Sequence, residues 1–193
     1  MAVRKINIWP DPVLATKARA VETVDGEIQQ LVVDMFETMH KANGIGLAAN
    51  QVGVPVRVLV CDLDPRGNAK DDPEVQAELD AWGYKGAMAF INPEIIEADG
   101  TIEWEEGCLS VPSITDLVKR KERVVVRALD ASGQPFTLEA HGLYAVCLQH
   151  EIDHLNGKVF VEYLSRLKRE VIKRKMERLK TEHTDDGVVA AAG

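Results

Sequence analysis

The apolar positions of this chain follow two periodicities, and each periodicity keeps to its own stretches. From Asp25 to Lys41, Ile28, Leu31, Val32, Met35, Phe36 and Met39 recur at three- and four-residue spacing behind Asp25, a good capping residue, with Gly44 just beyond. That pattern predicts an amphipathic helix. Val56 to Cys61 is a short β-branched run and Met88 to Ile91 a weaker one. Arg123 to Leu129, the turn Asp130-Ala131-Ser132-Gly133, and Pro135 to Ala140 read as a hairpin. A second helix is predicted from Gly142 to Asn156, where Leu143, Val146, Cys147 and Leu155 are interleaved with His and Glu and Asn156-Gly157 supplies the stop. Asp64 to Lys85 turns polar, yet Asp72-Pro73-Glu74 opening Val75 to Trp82 has the cap and first-turn proline of a short surface helix. Strands and helices segregate without a repeating βαβ unit, so the fold class is α+β.

Composition adds bounds. The chain has 193 residues, 46% of them hydrophobic, which suits one domain with a proper core. The expected division is a single catalytic domain over 1–183, holding the 64–85 polar insert and a basic C-terminal helix at 165–182, followed by a flexible tail at 184–193. No window approaches the ~18 apolar residues of a membrane span, and Met1 to Pro10 lacks the pattern of a signal peptide, so a cytoplasmic protein without membrane association is expected. Three cysteines, Cys61, Cys108 and Cys147, favour thiolate chemistry over a disulfide framework. The net charge is −8, but the stretch from Ser165 to Lys180 holds eight basic and two acidic residues. A basic element therefore sits on an acidic body. Most such runs are solvated faces; here Leu164, Leu167, Val171 and Leu179 suggest an apolar stripe for docking, with a cationic face left free.

The chemistry concentrates in three places. His150-Glu151-Ile152-Asp153-His154 fits H-E-x-x-H, in which two imidazoles one helical turn apart can share a metal ion. Glu151 lies about 60° around the helix from His154, close enough to reach a water on the metal side. Solvated helical neighbours are the plainer alternative. A third ligand is required, and Cys147 is too far from His154, roughly 10 Å along the axis. Glu106-Gly107-Cys108-Leu109-Ser110 offers a thiol in another segment; the bland alternative for Cys108 is a small core residue. Cys61, inside an apolar run, reads as buried and inert. Gly44-Ile45-Gly46-Leu47-Ala48-Ala49-Asn50-Gln51 permits close backbone approach and ends in an amide able to donate to an oxyanion, or else is simply a connection with a buried glutamine.

Taken in order, these three segments resemble the signature motifs of the peptide deformylases, bacterial type with a C-terminal helix. The resemblance runs from Trp9-Pro10-Asp11-Pro12 to Tyr163-Leu164-Ser165. It implies antiparallel sheets packed around a central helix that carries H-E-x-x-H, and removal of the formyl group from the amino-terminal formylmethionine of nascent polypeptides, with release of formate. By resemblance, Cys108, His150 and His154 hold one divalent metal ion, Fe²⁺ in the cell, although Zn²⁺, Ni²⁺ and Co²⁺ suit the same donors. Glu151 moves the proton, and Gln51 and the main-chain N–H of Leu109 stabilise the oxyanion. Ile45, Gly46, Trp104, Leu143, Val146 and Cys147 line a methionine pocket. The basic helix is expected to contact the ribosome near its exit tunnel, and the protein to be a monomer. Two features depart from the family pattern: Ser113-Ile114-Thr115-Asp116 stands where an arginine or aromatic substrate contact is frequent, and the 64–85 insert is long. Two other readings compete. A closed structural metal site needs neither Glu151 nor Gln51, and an endopeptidase would usually replace the cysteine with His or Glu.

Overall fold

The computed structural model describes residues 2–182; the tail expected at 184–193 lies outside the described residues. Helix α1 (Gly26–Lys41) begins at Asp25, whose carboxylate accepts from the N–H groups of Glu27 and Ile28, each at 3.0 Å. Its buried face, Leu31, Val32, Met35 and Met39, is the predicted stripe, with Ile28 and Phe36 at its margin. Five antiparallel strands form one sheet in the order β1 (Gly46–Ala48), β2 (Val58–Cys61), β3 (Met88–Asp99), β6 (Arg123–Leu129), β7 (Pro135–His141). A separate hairpin pairs β4 (Ile102–Cys108) with β5 (Val111–Arg120).

β2 explains the layering. All four of its residues are buried, because Val58 and Val60 pack with α1 while Leu59 and Cys61 pack with α3 (Gly142–Leu155) on the other face. A strand covered on both sides reads as a continuous apolar run, not an alternation. Helix α3 is buried almost all round from Tyr144 to Leu155, which makes it the central helix of an α+β fold.

The predicted strands are present with altered bounds. The 56–61 run narrows to Val58–Cys61, and the 88–91 run extends to Asp99, through polar residues. Cross-strand ion pairs carry that extension, Arg127 with Glu94 at 2.6 Å and Arg123 with Asp99 at 2.8 Å. The insert contains α2 (Pro73–Ala81), capped by Asp72 as anticipated.

A correction concerns α4 (Arg166–Glu182). Leu164 and Leu179 do face the body, but Leu167 and Val171 are 76% and 61% exposed. The docking residues between them are Ile172 and Met176, which join Leu14, Val111, Val118 and Phe160 in a third core cluster. Ile172, Met176 and Leu179 follow i, i+4, i+7 spacing, and Leu167 and Val171 fall one position out of that register.

Candidate metal centre and active site

The site is assembled where α3, the β4–β5 hairpin and the segment after α1 converge. The ladder of the hairpin breaks between Gly107 and Cys108, so that Cys108 pairs with Val111 while Gly107 pairs with Thr115. This irregularity re-aims the thiol toward α3. Cys108 Sγ lies 3.2 Å from His154 Nε2, and one donor atom each from Cys108, His150 and His154 falls within 4.8 Å of the others. The two imidazoles stand one turn apart, ring centroids 5.0 Å, at an interplanar angle of 72°.

That donor set fits a divalent transition metal. One thiolate and two imidazoles match the ligand types of such sites, and the separations are those of ligands sharing an ion at roughly 2.0–2.3 Å. One polar atom supports the same reading: among the described residues Glu151 Oε2 is buried without a protein hydrogen-bond partner, an expensive condition unless a ligand or water is served. Three protein donors leave a coordination position open, unlike a closed structural site.

A polar network fixes the imidazole of His150. Its Nδ1 lies 2.7 Å from Glu106 Oε2, which turns Nε2 toward Cys108. Glu106 is gripped by Arg120 through two bonds of 2.5 and 2.9 Å. Arg120 also reaches Asp153 at 2.5 Å and lies over the ring of Tyr163, whose hydroxyl donates to Asp153 at 2.8 Å. Burial alone would raise the Glu106 carboxyl, but Arg120 and His150 together hold it below its usual value. Burial likewise pulls His150 down, and its bonds to Cys108 and Glu106 outweigh that and hold it well above the ordinary value. His154, without a carboxylate partner, is pushed well below by burial. Such orienting partners hold a ligand in the correct tautomer. Arg120, Asp153 and Tyr163 escaped the sequence reading. Their signal was a buried arginine in a strand of alternating pattern, visible only once β5 is known.

Glu151 is buried and its carboxyl is pushed up to about 7, with desolvation the largest cause, a value suited to holding and releasing a proton near neutrality. Gly46 creates its space: a Cβ there would lie 2.5 Å from Glu151 Oε1 and 2.8 Å from Cys147 Sγ. Gln51 accepts from the N–H of Ala48 at 2.8 Å, which leaves its Nε2 to approach Cys108 Sγ at 3.6 Å and Ser110 Oγ at 3.2 Å. The amide therefore points into the centre. Leu109 occupies the turn between β4 and β5, its side chain against Gly44.

Among the residues read as a methionine pocket, the structure brings Ile45, Gly46 and Cys147 together beside Glu151, with Cys147 Sγ 3.7 Å from the Ile45 carbonyl. Leu143 lies one turn before Cys147 on α3 and Val146 directly before it, and Trp104 occupies the inward face of β4, two residues before Glu106. Cys61, expected to be inert, is fully buried, with its Sγ 3.2 Å from Cys147 Sγ. That contact and burial hold the Cys147 thiol well above its usual value, so it stays a neutral, apolar wall. Thr115 is exposed on the hairpin and donates to Glu105 at 2.9 Å.

A central H-E-x-x-H helix, a hairpin cysteine within reach of both imidazoles and a buried carboxylate beside them make up a group of the kind found in metal-dependent hydrolases. Residues 3–170 match the family model described as polypeptide deformylase. Peptide deformylase from Neisseria gonorrhoeae is 50% identical over 184 residues, covering 95% of this chain and 99% of that protein. The relative from Alkalilimnicola ehrlichii is 48% identical over 93% of this chain and 92% of its own length. The crystal structure of the Legionella pneumophila peptide deformylase superposes with a TM-score of 0.82 at 45% identity, over 95% of this chain and 98% of the other. That of the Ehrlichia chaffeensis enzyme in complex with actinonin superposes at 0.83 and 42%, over 93% and 99%. The chain belongs to the polypeptide deformylase family. It is a hydrolase that removes the formyl group from the amino-terminal formylmethionine of nascent polypeptides, and the family is metal-dependent.

Proposed function

We propose that Cys108, His150 and His154 hold one divalent ion, Fe²⁺ in the cell, and that Glu151, Gln51 and the main-chain N–H of Leu109 carry out deformylation around it. When bound, such an ion supplies Lewis-acid chemistry, acidifying water and polarising a carbonyl. Glu151 takes the proton of the attacking water and passes it to the leaving nitrogen, which departs as the free α-amine. Gln51 Nε2 and the Leu109 N–H stabilise the negative charge that develops on the formyl oxygen. Ile45, Gly46, Trp104, Leu143, Val146 and Cys147 receive the methionine side chain, whose flexible thioether packs well against apolar walls. The observation that carries this reading is the space Gly46 leaves for the Glu151 carboxylate, beside three donors that lie within 4.8 Å of one another. The test is formate release from formyl-Met-Ala-Ser by anaerobically purified protein, with metal content measured on the same sample. Turnover that disappears with the metal supports the assignment, and a metal-loaded protein that releases no formate overturns it.

We further propose that residues 1–183 act as one catalytic domain, a cytoplasmic monomer, and that α4 meets the ribosome near its exit tunnel. Lys173, Arg174 and Arg178 are exposed and form no ion pair among the described residues, so they are available to RNA phosphates. Deleting the helix would strip Ile172 and Met176 from a core cluster, so the sounder probe is reversal of these three charges. Loss of ribosome co-sedimentation with unchanged turnover of formyl-Met-Ala-Ser is expected, and undiminished co-sedimentation would remove this part of the proposal.

A further inference from the structure

The polar insert returns to the body of the molecule through Trp82, and its landing place is the outer end of the proposed methionine pocket. Trp82 closes α2, where its N–H donates to the Glu78 carbonyl at 3.0 Å, and its own carbonyl accepts from the N–H of His141 at 3.0 Å. The indole lies against Gly142, the first residue of α3. A Cβ there would fall 2.3 Å from Trp82 Nε1, and Gly142 adopts φ +50°, a conformation that side chains rarely take. From that seat Trp82 meets the ring of Trp104 edge-on, centroids 6.4 Å and planes at 86°, a favourable aromatic geometry. Trp104 shares the inward face of β4 with Glu106, and Gly142 directly precedes Leu143. Among the described residues Trp82 supplies the aromatic ring that Trp104 packs against.

We propose that Trp82 is a specificity-determining residue: it holds Trp104 as a rigid outer wall and thereby sets which amino-terminal side chains the enzyme accepts. This rests on the pocket assignment proposed above. With the wall fixed, the pocket admits a narrow, unbranched side chain such as methionine. With Trp82 removed, Trp104 swings outward and the pocket widens. Discrimination between hydrophobic side chains in such a pocket spans roughly 10–200-fold, so a loss of about tenfold is expected.

The experiment measures kcat and KM of the metal-loaded enzyme for formyl-Met-Ala-Ser and formyl-Phe-Ala-Ser in wild type, Trp82→Ala, Trp82→Phe and Leu143→Ala. Trp82→Ala lowers the Met-to-Phe ratio of kcat/KM about tenfold, acting through KM, and Trp82→Phe restores most of the ratio by keeping an aromatic edge. If Trp82→Ala does not fold by circular dichroism, Trp82→Leu takes its place. A folded variant with the wild-type ratio, or one in which kcat falls equally for both substrates, overturns the proposal. Leu143→Ala separates the two levels of inference. A shifted ratio there leaves the pocket standing when the Trp82 proposal fails, and an unshifted ratio removes the pocket assignment itself.

Discussion

Arg120→Met tests whether the network behind His150 sets both stability and metal retention. The guanidinium is 6% exposed and bridges two carboxylates, Glu106 and Asp153. Glu106 is itself 4% exposed, so truncating the arginine leaves a buried carboxylate whose partner is His150 alone. Removing one member of a buried ion pair costs about 3–5 kcal/mol, since the remaining charge loses its compensation. At about 2–4 °C per kcal/mol for a domain of this size, Tm should fall by about 6–20 °C. Part of the effect reaches the metal. Loss of a hydrogen-bonded partner behind a ligand weakens metal binding by about 10–100-fold, and because Glu106 itself remains in place, roughly tenfold is expected. Arg120→Lys keeps the charge but loses the planar fork that reaches both Glu106 oxygens and should fall between. The assay is thermal unfolding followed by circular dichroism with and without chelator, paired with a competition titration for the metal. If metal-stripped Arg120→Met unfolds within about 3 °C of metal-stripped wild type, below the smallest shift expected, the buried-charge reasoning is wrong.

The remaining predictions concern single groups. Glu151→Ala should retain metal by elemental analysis but lose about 10²–10⁴-fold in formate release, the usual worth of a positioned proton-transfer group, whereas Cys108→Ser should lose metal on dialysis; a Glu151→Ala enzyme with wild-type kcat would refute the role. Gly46→Ala places a methyl 2.5 Å from Glu151 Oε1, so it should cut kcat while far-ultraviolet circular dichroism stays unchanged, and full activity would show that the carboxylate has room to move. Asp34 accepts from Gln30, the N–H of Ala2 and Arg4, and these bonds hold its carboxyl below 3.8. Its contribution is therefore complete above the unfolded value and lost as pH falls below it through the lowered folded value. The urea midpoint of Asp34→Asn should lie below that of wild type at neutral pH, and the gap should narrow progressively as pH falls from about 4, so a gap that does not narrow in acid would contradict the assignment.

How far the sequence was legible depended on whether one residue's neighbours in space were also its neighbours in period. Helix α1 and the hairpin of β6 and β7 were readable because cap, stripe and turn are local signals, and the observed register from Arg123 opposite His141 to Leu129 opposite Pro135 needs no distant partner to explain it. β4 and β5 were not read as strands, although Ile102-Glu103-Trp104-Glu105 alternates. Their inward faces carry Glu106, Asp116 and Arg120 in place of aliphatic residues, so the period-two signal is broken where the chemistry sits. In α4 the apolar content was evident but the register was misjudged, since Leu167 and Val171 are as hydrophobic as the residues that dock. The three side chains that the structure brings together as possible metal donors were read from the H-E-x-x-H spacing and one cysteine, because two imidazoles at i and i+4 are a constraint internal to a helix. Glu106, Arg120, Asp153 and Tyr163, which orient His150, come from β4, β5, α3 and the segment before α4. No sequence interval joins them, and only the packed hairpin puts a buried arginine between two carboxylates. The same holds for Trp82 and Trp104, 22 positions apart, which meet only because Gly142 gives up its side chain at the start of the catalytic helix. Local periodicity thus pointed to the groups proposed to react, while the groups that hold them in geometry, and by the inference above the group that selects the substrate, became visible through the fold.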